Sequence, residues 1–294
     1  MIPKEFDYAA PQTLAEALAL LAQHGADAKI LAGGHSLVPL MKLRLAEPGL
    51  LVDLGRIATL RGVGAPTGSH LAIGAMTTYQ DVLASETLGR ANGLLAECVG
   101  QVGDAQVRNR GTVGGSLAHA DPAADLPAVI LALDAELEAA RHGGGTRRIP
   151  AGAFFTGLLS TALDPGEILT QIWVPAQGER TGSAYVKLRN KASHYAVVGV
   201  AAVVTLDAQG QIARAAIGVT GAAAQPFRAA GAETALQGGN PQNGAIAHAA
   251  GLVAQQEVEW MADLSGSADY RRHMAEVLAR RALRLAAQRA AGLS

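Results

Sequence analysis

Cysteine is almost absent from this sequence, since Cys98 is the only one among 294 residues. A single thiol excludes an internal disulfide framework. It also excludes an iron–sulfur cluster held by this chain alone, because such a cluster needs about four thiolates. His119 and His194 show no ligand spacing with a second histidine or a carboxylate, so we expect no metal site.

Neither sign of charge is in excess: 24 lysines and arginines balance 25 acidic residues, for a net charge of -1. This balance gives no reason to expect nucleic acid or an anionic membrane surface as a partner. No uncharged apolar run approaches the ~18 residues of a membrane-spanning helix. The first residues, MIPKEFDY, carry charges where a secretory signal has its apolar segment, so we expect a cytoplasmic protein without a membrane span.

What the sequence does contain is enough apolar material, 49% of residues, for the cores of about two domains. Short strands alternate with amphipathic helices in the first part, and capping boxes at Thr13 and Thr78 predict two of the helix starts. This alternation is typical of a mixed α+β or α/β domain. The segment PAQGERTG at 175–182 is the best linker candidate, which predicts domains at 1–177 and 178–294.

Past the linker the pattern changes to three long strand candidates, at 183–189, 195–206 and 211–220, with a hairpin turn at 207–210. A long helix near the C-terminus carries an apolar stripe that includes Leu278 and Ala282. Arg271 and four further arginines lie mainly off this stripe, which predicts a solvated basic face, with a partner contact as the alternative. The second domain is therefore predicted to be a small three-stranded antiparallel sheet with helices.

Glycine-rich turns carry the chemistry that can be read from the sequence. No G-x-G-x-x-G opens a helix after a strand and no P-loop is present, but two other strand-to-loop segments carry paired glycines, Ile30-Leu-Ala-Gly-Gly-His-Ser-Leu37 and Gly111-Thr-Val-Gly-Gly-Ser116. Adjacent glycines let backbone N–H groups approach a diphosphate closely. Neither loop contains lysine or arginine, so backbone dipoles would neutralise most of the charge of a bound diphosphate. Each pair could instead be only a tight turn, an alternative that two loops of shared pattern weaken.

These loops, taken with Met41-Lys-Leu-Arg44, Gly74-Ala-Met-Thr-Thr78 and Asp121-Pro-Ala-Ala-Asp125-Leu-Pro127, resemble the medium FAD subunit of the xanthine dehydrogenase family of molybdenum hydroxylases. Aerobic carbon monoxide dehydrogenase belongs to the same family. The resemblance extends over essentially the whole chain. It implies a vanillyl-alcohol-type (PCMH-type) FAD-binding domain, followed by the small three-stranded domain predicted above from the strand pattern.

The same resemblance implies a set of FAD-binding residues. Asp125 matches a position near the adenosine-side hydroxyls or diphosphate, or it is simply a carboxylate at a helix start. Val102 and Leu169 match apolar positions against the isoalloxazine ring, and plain core residues are the alternative. Lys187 matches a lysine that approaches the flavin, rather than a solvated strand lysine. The full set is Ile30, Leu31, Ala32, Gly33, Gly34, His35, Ser36, Leu37, Val102, Thr112, Val113, Gly114, Gly115, Ser116, Asp125, Leu169, Lys187 and Tyr195.

Tyr195 matches a tyrosine beside the ring in subunits of the carbon monoxide dehydrogenase type, with a half-buried core tyrosine as the alternative. FAD is held non-covalently in the family, so His35 is not expected to carry it. No residue of this chain is predicted to touch the organic substrate.

By this resemblance, the chain is an electron-transfer flavoprotein subunit. A large partner would hold the molybdenum cofactor, a small partner would hold the [2Fe–2S] clusters, and the assembly would be a dimer of heterotrimers. Two alternatives remain: a self-sufficient vanillyl-alcohol-type flavin oxidoreductase, and a structural subunit that has lost its flavin. The hydroxylated substrate is not encoded here, since that pocket lies in another chain.

Overall fold

The N-terminal part of the computed structural model, which describes residues 2–65, 67–241 and 243–293, is a small parallel sheet with a helix against it. The sheet has the order β1-β3-β2. Thr13 begins the first helix through the predicted capping box with Glu16, and Gly25 ends it. Leu18, Leu21 and Val52 lie in the core between helix and sheet. The elements are β1 (Asp7–Ala9), α1 (Leu14–His24), β2 (Ala28–Leu31), α2 (Leu37–Lys42) and β3 (Leu50–Asp53).

A second core follows, built on an antiparallel sheet of order β4-β9-β5-β6 and a group of short helices. Thr78 caps the first of these helices with Asp81, as predicted. The elements are β4 (His70–Gly74), α3 (Tyr79–Ala84), α4 (Glu86–Ala91), α5 (Gly93–Gly100), α6 (Ala105–Arg110), α7 (Val113–His119), α8 (Leu126–Ala132), β5 (Glu136–Ala140), β6 (Thr146–Pro150), α9 (Ala151–Phe154), β7 (Phe155–Gly157), β8 (Ser160–Thr161) and β9 (Ile168–Pro175).

The C-terminal part contains the three predicted strands as long antiparallel neighbours, joined by a fourth strand of two residues at the edge. The predicted turn at 207–210 closes with a hydrogen bond from the Gly210 amide to the Asp207 carbonyl. Three helices pack on one face of the sheet. The elements are β10 (Thr181–Arg189), β11 (Ala196–Leu206), β12 (Ile212–Thr220), β13 (Phe227–Arg228), α10 (Ala230–Leu236), α11 (Asn243–Val253) and α12 (Ala268–Ala290).

This C-terminal sheet is covered on both faces, and successive side chains of each strand point to opposite faces. Ala184, Val200 and Ala202 face helices α10–α12. Tyr185 and Ala201 point the other way and belong to the core of the preceding part. The segment predicted as a linker between the domains is short, since Pro175 ends β9 and Thr181 begins β10.

One expectation about the last helix is wrong. Arg271 lies not on a solvated face but buried, at 3% exposure. Its guanidinium donates to the Val197 carbonyl at 2.7 Å and also bonds the Gly221 carbonyl and the Asp263 carboxylate. It therefore satisfies one carbonyl in β11 and one just after the end of β12, a role that helical periodicity alone cannot show. Within the described residues, no helix has the length and apolar character needed to cross a membrane.

Candidate functional site

The first glycine loop leaves the carboxyl end of β2 and enters α2, at the edge of a parallel sheet where ligands commonly bind. Gly34 has a φ of +78°, which favours glycine at this position. The amide groups of Gly33, Gly34, His35 and Ser36 make no hydrogen bond to other residues that the structure describes. All but the exposed His35 are half-buried. Such a row of free amides is typical of an anion-binding turn.

The second glycine loop differs because the amides of its two glycines, and of Val113 and Ser116 beside them, already have partners. Val113 donates to the Thr77 carbonyl at 3.0 Å, and Gly114 donates to the Ala75 carbonyl at 2.8 Å. The amides of Gly115 and Ser116 donate back to the Oγ1 and the carbonyl of Thr112, respectively. This loop therefore offers a packed wall and side-chain hydroxyls, while the run of consecutive free amides lies in the first loop.

The structure brings the two loops into contact. A Cβ on Gly33 would lie 2.2 Å from the carbonyl oxygen of Arg110, just before the second loop. A Cβ on Gly115 would lie 3.4 Å from the Cβ of Ala32. Because Gly33 has no side chain, the two loops can pack against each other. This packing fixes the position of the free amides of the first loop.

A cavity of about 280 Å³ opens beside this contact, near the lower end of the range for ligand pockets. Its walls come from both loops, from the start of α3 and from the turns after β3. Three arginines line it, although neither loop contains lysine or arginine. The lining residues are Ala32, Asp53, Gly55, Arg56, Arg61, Met76, Thr78, Asn109, Arg110 and Thr112.

Asp125 and Lys187 form a buried ion pair near the loops. The Lys187 ammonium donates to Asp125 Oδ2 at 2.8 Å and to the Gln101 carbonyl at 3.1 Å. Their side chains are 6% and 1% exposed. Burial raises the pKa of Asp125, while the charge of Lys187 and hydrogen bonds from Lys187 and Tyr185 oppose the rise. Lys187 is therefore not the solvated strand lysine offered as its alternative, and its charge is balanced by Asp125.

Two tyrosines lie beside the glycine loops, one at each loop. Tyr195, which is 45% exposed, comes from the C-terminal part and lies beside Ser36 of the first loop. Burial raises its pKa, and the carboxylates of Asp121 and Asp125 add to the rise. Tyr79, at the start of α3, lies beside Ser116 of the second loop. The structure thus places Tyr195 beside the first loop and near the carboxylate of Asp125, while its predicted position against the flavin ring stays a prediction.

The two apolar candidates are placed differently. Val102 is half-buried directly after Gln101, whose carbonyl binds Lys187, so it adjoins the ion pair. Leu169 is buried on β9 opposite Ala139, inside the second core. Its strand packs against α7, the helix that contains Gly114, Gly115 and Ser116 of the second loop. Among all the residues that the structure describes, no group of histidine, cysteine or acidic residues could hold a metal ion.

Several residues of the site were not predicted from the sequence. Arg110 could have been predicted, since it directly precedes the second loop at Gly111 and Thr112. Arg56 and Arg61 follow β3 and reach the cavity only through the fold. Tyr185 is a core tyrosine in the strand pattern, and only the structure shows that its hydroxyl reaches Asp125.

Comparison with known protein families gives two matches. Residues 4–177 match the FAD binding domain in molybdopterin dehydrogenase. Residues 183–286 match the CO dehydrogenase flavoprotein C-terminal domain.

Full-length relatives agree with these matches. The chain is 42% identical over 291 residues to the carbon monoxide dehydrogenase medium chain of Hydrogenophaga pseudoflava, covering 99% of this chain and 100% of that one. It is 38% identical over 290 residues to the 6-hydroxypseudooxynicotine dehydrogenase complex subunit alpha of Paenarthrobacter nicotinovorans, covering 99% and 97%. A solved carbon monoxide dehydrogenase from Hydrogenophaga pseudoflava, which lacks the Mo-pyranopterin moiety of the molybdenum cofactor, contains a chain that superposes with a TM-score of 0.93 at 43% identity, covering 97% of this chain and 98% of that one.

Proposed function

The chain belongs to the FAD-binding medium-subunit family of the molybdenum hydroxylases, and we propose that it holds one FAD non-covalently and relays electrons within such an enzyme. The electrons would come from [2Fe–2S] clusters in a small partner subunit and leave to an external acceptor. Hydroxylation would take place at the molybdenum cofactor of a large partner subunit. The relatives' names, which mention carbon monoxide and 6-hydroxypseudooxynicotine, support the multi-subunit setting and not one particular substrate.

The first loop carries the proposal, because its free donors fit an anionic diphosphate. Four consecutive amides, from Gly33 to Ser36, are unpaired within the described structure and partly open to solvent. Arg56, Arg61 and Arg110 line the adjoining cavity and supply the positive charge that the loops themselves lack. Backbone donors and guanidinium groups are the usual partners of phosphate oxygens in proteins. The second loop would act as the opposite wall, through Thr112 and Ser116.

The remaining candidates would orient the rest of the FAD. Asp125 offers carboxylate oxygens to adenosine-side hydroxyls, and its partner Lys187 balances the charge that burial would otherwise disfavour. Tyr195 contributes a half-exposed ring beside the first loop. Val102 and Leu169 would supply apolar surface, Val102 from beside the ion pair and Leu169 from the core behind it. When bound, FAD supplies the redox chemistry, while these residues bind it, orient it and limit its contact with water.

The chain's composition supports a division of labour with partners. One buried thiol, Cys98, cannot ligate a [2Fe–2S] cluster, so the clusters must lie in another subunit. A self-sufficient flavin oxidoreductase would need its own substrate-binding domain, whereas residues 183–286 match the flavoprotein C-terminal domain instead. We place the boundary between the two domains at residues 177 and 178, and we propose a dimer of heterotrimers as the assembly.

A flavin assay of the purified chain tests the proposal. We expect about one FAD per chain, with a visible flavin spectrum, and full release of yellow flavin to the supernatant on acid precipitation. Flavin that stays with the precipitate contradicts the non-covalent assignment. A colourless chain that fails to take up added FAD contradicts the flavin assignment itself.

A further inference from the structure

Tyr185 reaches from the C-terminal domain into the carboxylate of Asp125. Its side chain is 2% exposed and belongs to the core of the FAD-binding domain. Its hydroxyl donates to Asp125 Oδ1 at 2.5 Å, while Lys187 donates to Oδ2 at 2.8 Å. Tyr185 and Lys187 stand two residues apart on β10 and so point to the same side of the sheet. Both oxygens of Asp125 are therefore held by one strand of the other domain.

The backbone around Tyr185 leaves room for its hydroxyl. Gly199 on β11 pairs with Lys187, and a Cβ on Gly199 would lie 2.3 Å from the Tyr185 Oη. An alanine at this position would therefore displace the hydroxyl from Asp125. A buried tyrosine hydroxyl needs a hydrogen-bond partner, and here that partner is a charged one.

The arrangement goes beyond ordinary core packing. A buried carboxylate is costly unless it is paired and fully hydrogen-bonded, and Lys187 alone leaves Oδ1 without a donor. Phenylalanine would fill the same space as Tyr185 without that donor. The hydroxyl thus acts on the charge and orientation of Asp125 rather than on the volume of the core.

We propose that Tyr185 is a positioning residue of the FAD site: together with Lys187 it holds the Asp125 carboxylate ionised and aimed at the cofactor. This inference rests on the proposed function, in which Asp125 binds FAD. The C-terminal domain thereby contributes to the FAD site through Tyr185, which acts on Asp125, as well as through Lys187 and Tyr195.

A double-mutant cycle on FAD affinity tests this role. The dissociation constant of FAD is measured by flavin fluorescence on full-length apo-protein for the wild type, Tyr185→Phe, Asp125→Asn and the double variant. Loss of one charge-assisted hydrogen bond predicts roughly tenfold weaker binding for Tyr185→Phe. In the Asp125→Asn background the same change should have little further effect, because the two residues act through one contact. Gly199→Ala should weaken FAD binding as Tyr185→Phe does.

Tyr270→Phe is the matched control, since it removes a tyrosine hydroxyl from the exposed side of α12 and should leave the dissociation constant unchanged. Thermal melting of each apo-protein separates stability from affinity. A dissociation constant for Tyr185→Phe equal to that of the wild type overturns the proposal, and so do effects that simply add in the double variant. A wild-type chain that binds no FAD contradicts the proposed function instead, so the two failures are distinguishable.

Discussion

Gly33 is the point where the two glycine loops touch, so replacing it with alanine should separate them. The new Cβ would lie 2.2 Å from the carbonyl oxygen of Arg110 and 2.9 Å from the Cα of Gly111. Ordinary carbon contacts need about 3.5 Å, so the loops must move apart by roughly 1 Å. Both opposing atoms belong to the backbone and cannot rotate away. Overpacking of this kind costs about 1–3 kcal/mol of folding free energy, and the free amides move with the loop.

Two neighbouring substitutions give the prediction a scale. Gly34→Ala meets only side-chain atoms, at 3.3 and 3.4 Å, but it forces alanine into a φ of +78°, at a cost of about 1–2 kcal/mol. Gly89→Ala, in α4, meets no atom within 4 Å and serves as the matched control, with a gain of up to ~1 kcal/mol from helix propensity.

Urea unfolding and FAD titration of the three variants test the loop contact. We expect FAD affinity to fall at least about tenfold for Gly33→Ala, in line with ~1.4 kcal/mol or more of lost binding energy. It should fall less for Gly34→Ala and stay unchanged for Gly89→Ala. If Gly33→Ala bound FAD as tightly as Gly89→Ala and unfolded at the same urea concentration, the argument from loop packing would be refuted.

Three further predictions follow from the buried charges. Lys187→Met leaves Asp125 buried without its cation, so we expect a loss of about 3–5 kcal/mol in urea unfolding, largely restored by adding Asp125→Asn. Because burial raises the pKa of Asp125, FAD affinity should weaken as pH falls through a value above the ordinary aspartate range, and a titration of affinity against pH checks this direction. Arg271→Met should lower the melting temperature by leaving strand carbonyls unpaired, without changing FAD affinity per folded chain; an affinity loss would place Arg271 in the FAD site.

Local signals in the sequence were enough for much of the fold. The capping boxes at Thr13 and Thr78 predicted two helix starts because each depends only on residues within one turn. The long strands of the C-terminal sheet were equally readable, since they are apolar and bounded by turn residues. The fourth strand, Phe227–Arg228, has only two residues and no pattern of its own.

The candidate site was readable only in part, because long-range contacts have no local pattern. The glycine loops stand out in the sequence, but which loop keeps free amides depends on the partners Thr77 and Ala75 found in the fold. Tyr185 lies 60 residues from Asp125 along the chain, so their hydrogen bond is visible only in three dimensions. The wrong expectation for Arg271 has the same origin, since periodicity does not show strand carbonyls beneath a helix.

Anaerobic flavin reduction in the assembled enzyme tests the central claim most directly. The chain is purified alone and in complex with its large molybdenum and small [2Fe–2S] subunits, and the flavin absorbance is followed after addition of the complex's organic or gaseous substrate. We predict no bleaching with the isolated chain and full bleaching in the complex, which an added electron acceptor then reverses. Bleaching of the isolated chain by that substrate would contradict the account. So would a complex that oxidises the substrate while its flavin stays oxidised before any acceptor is added.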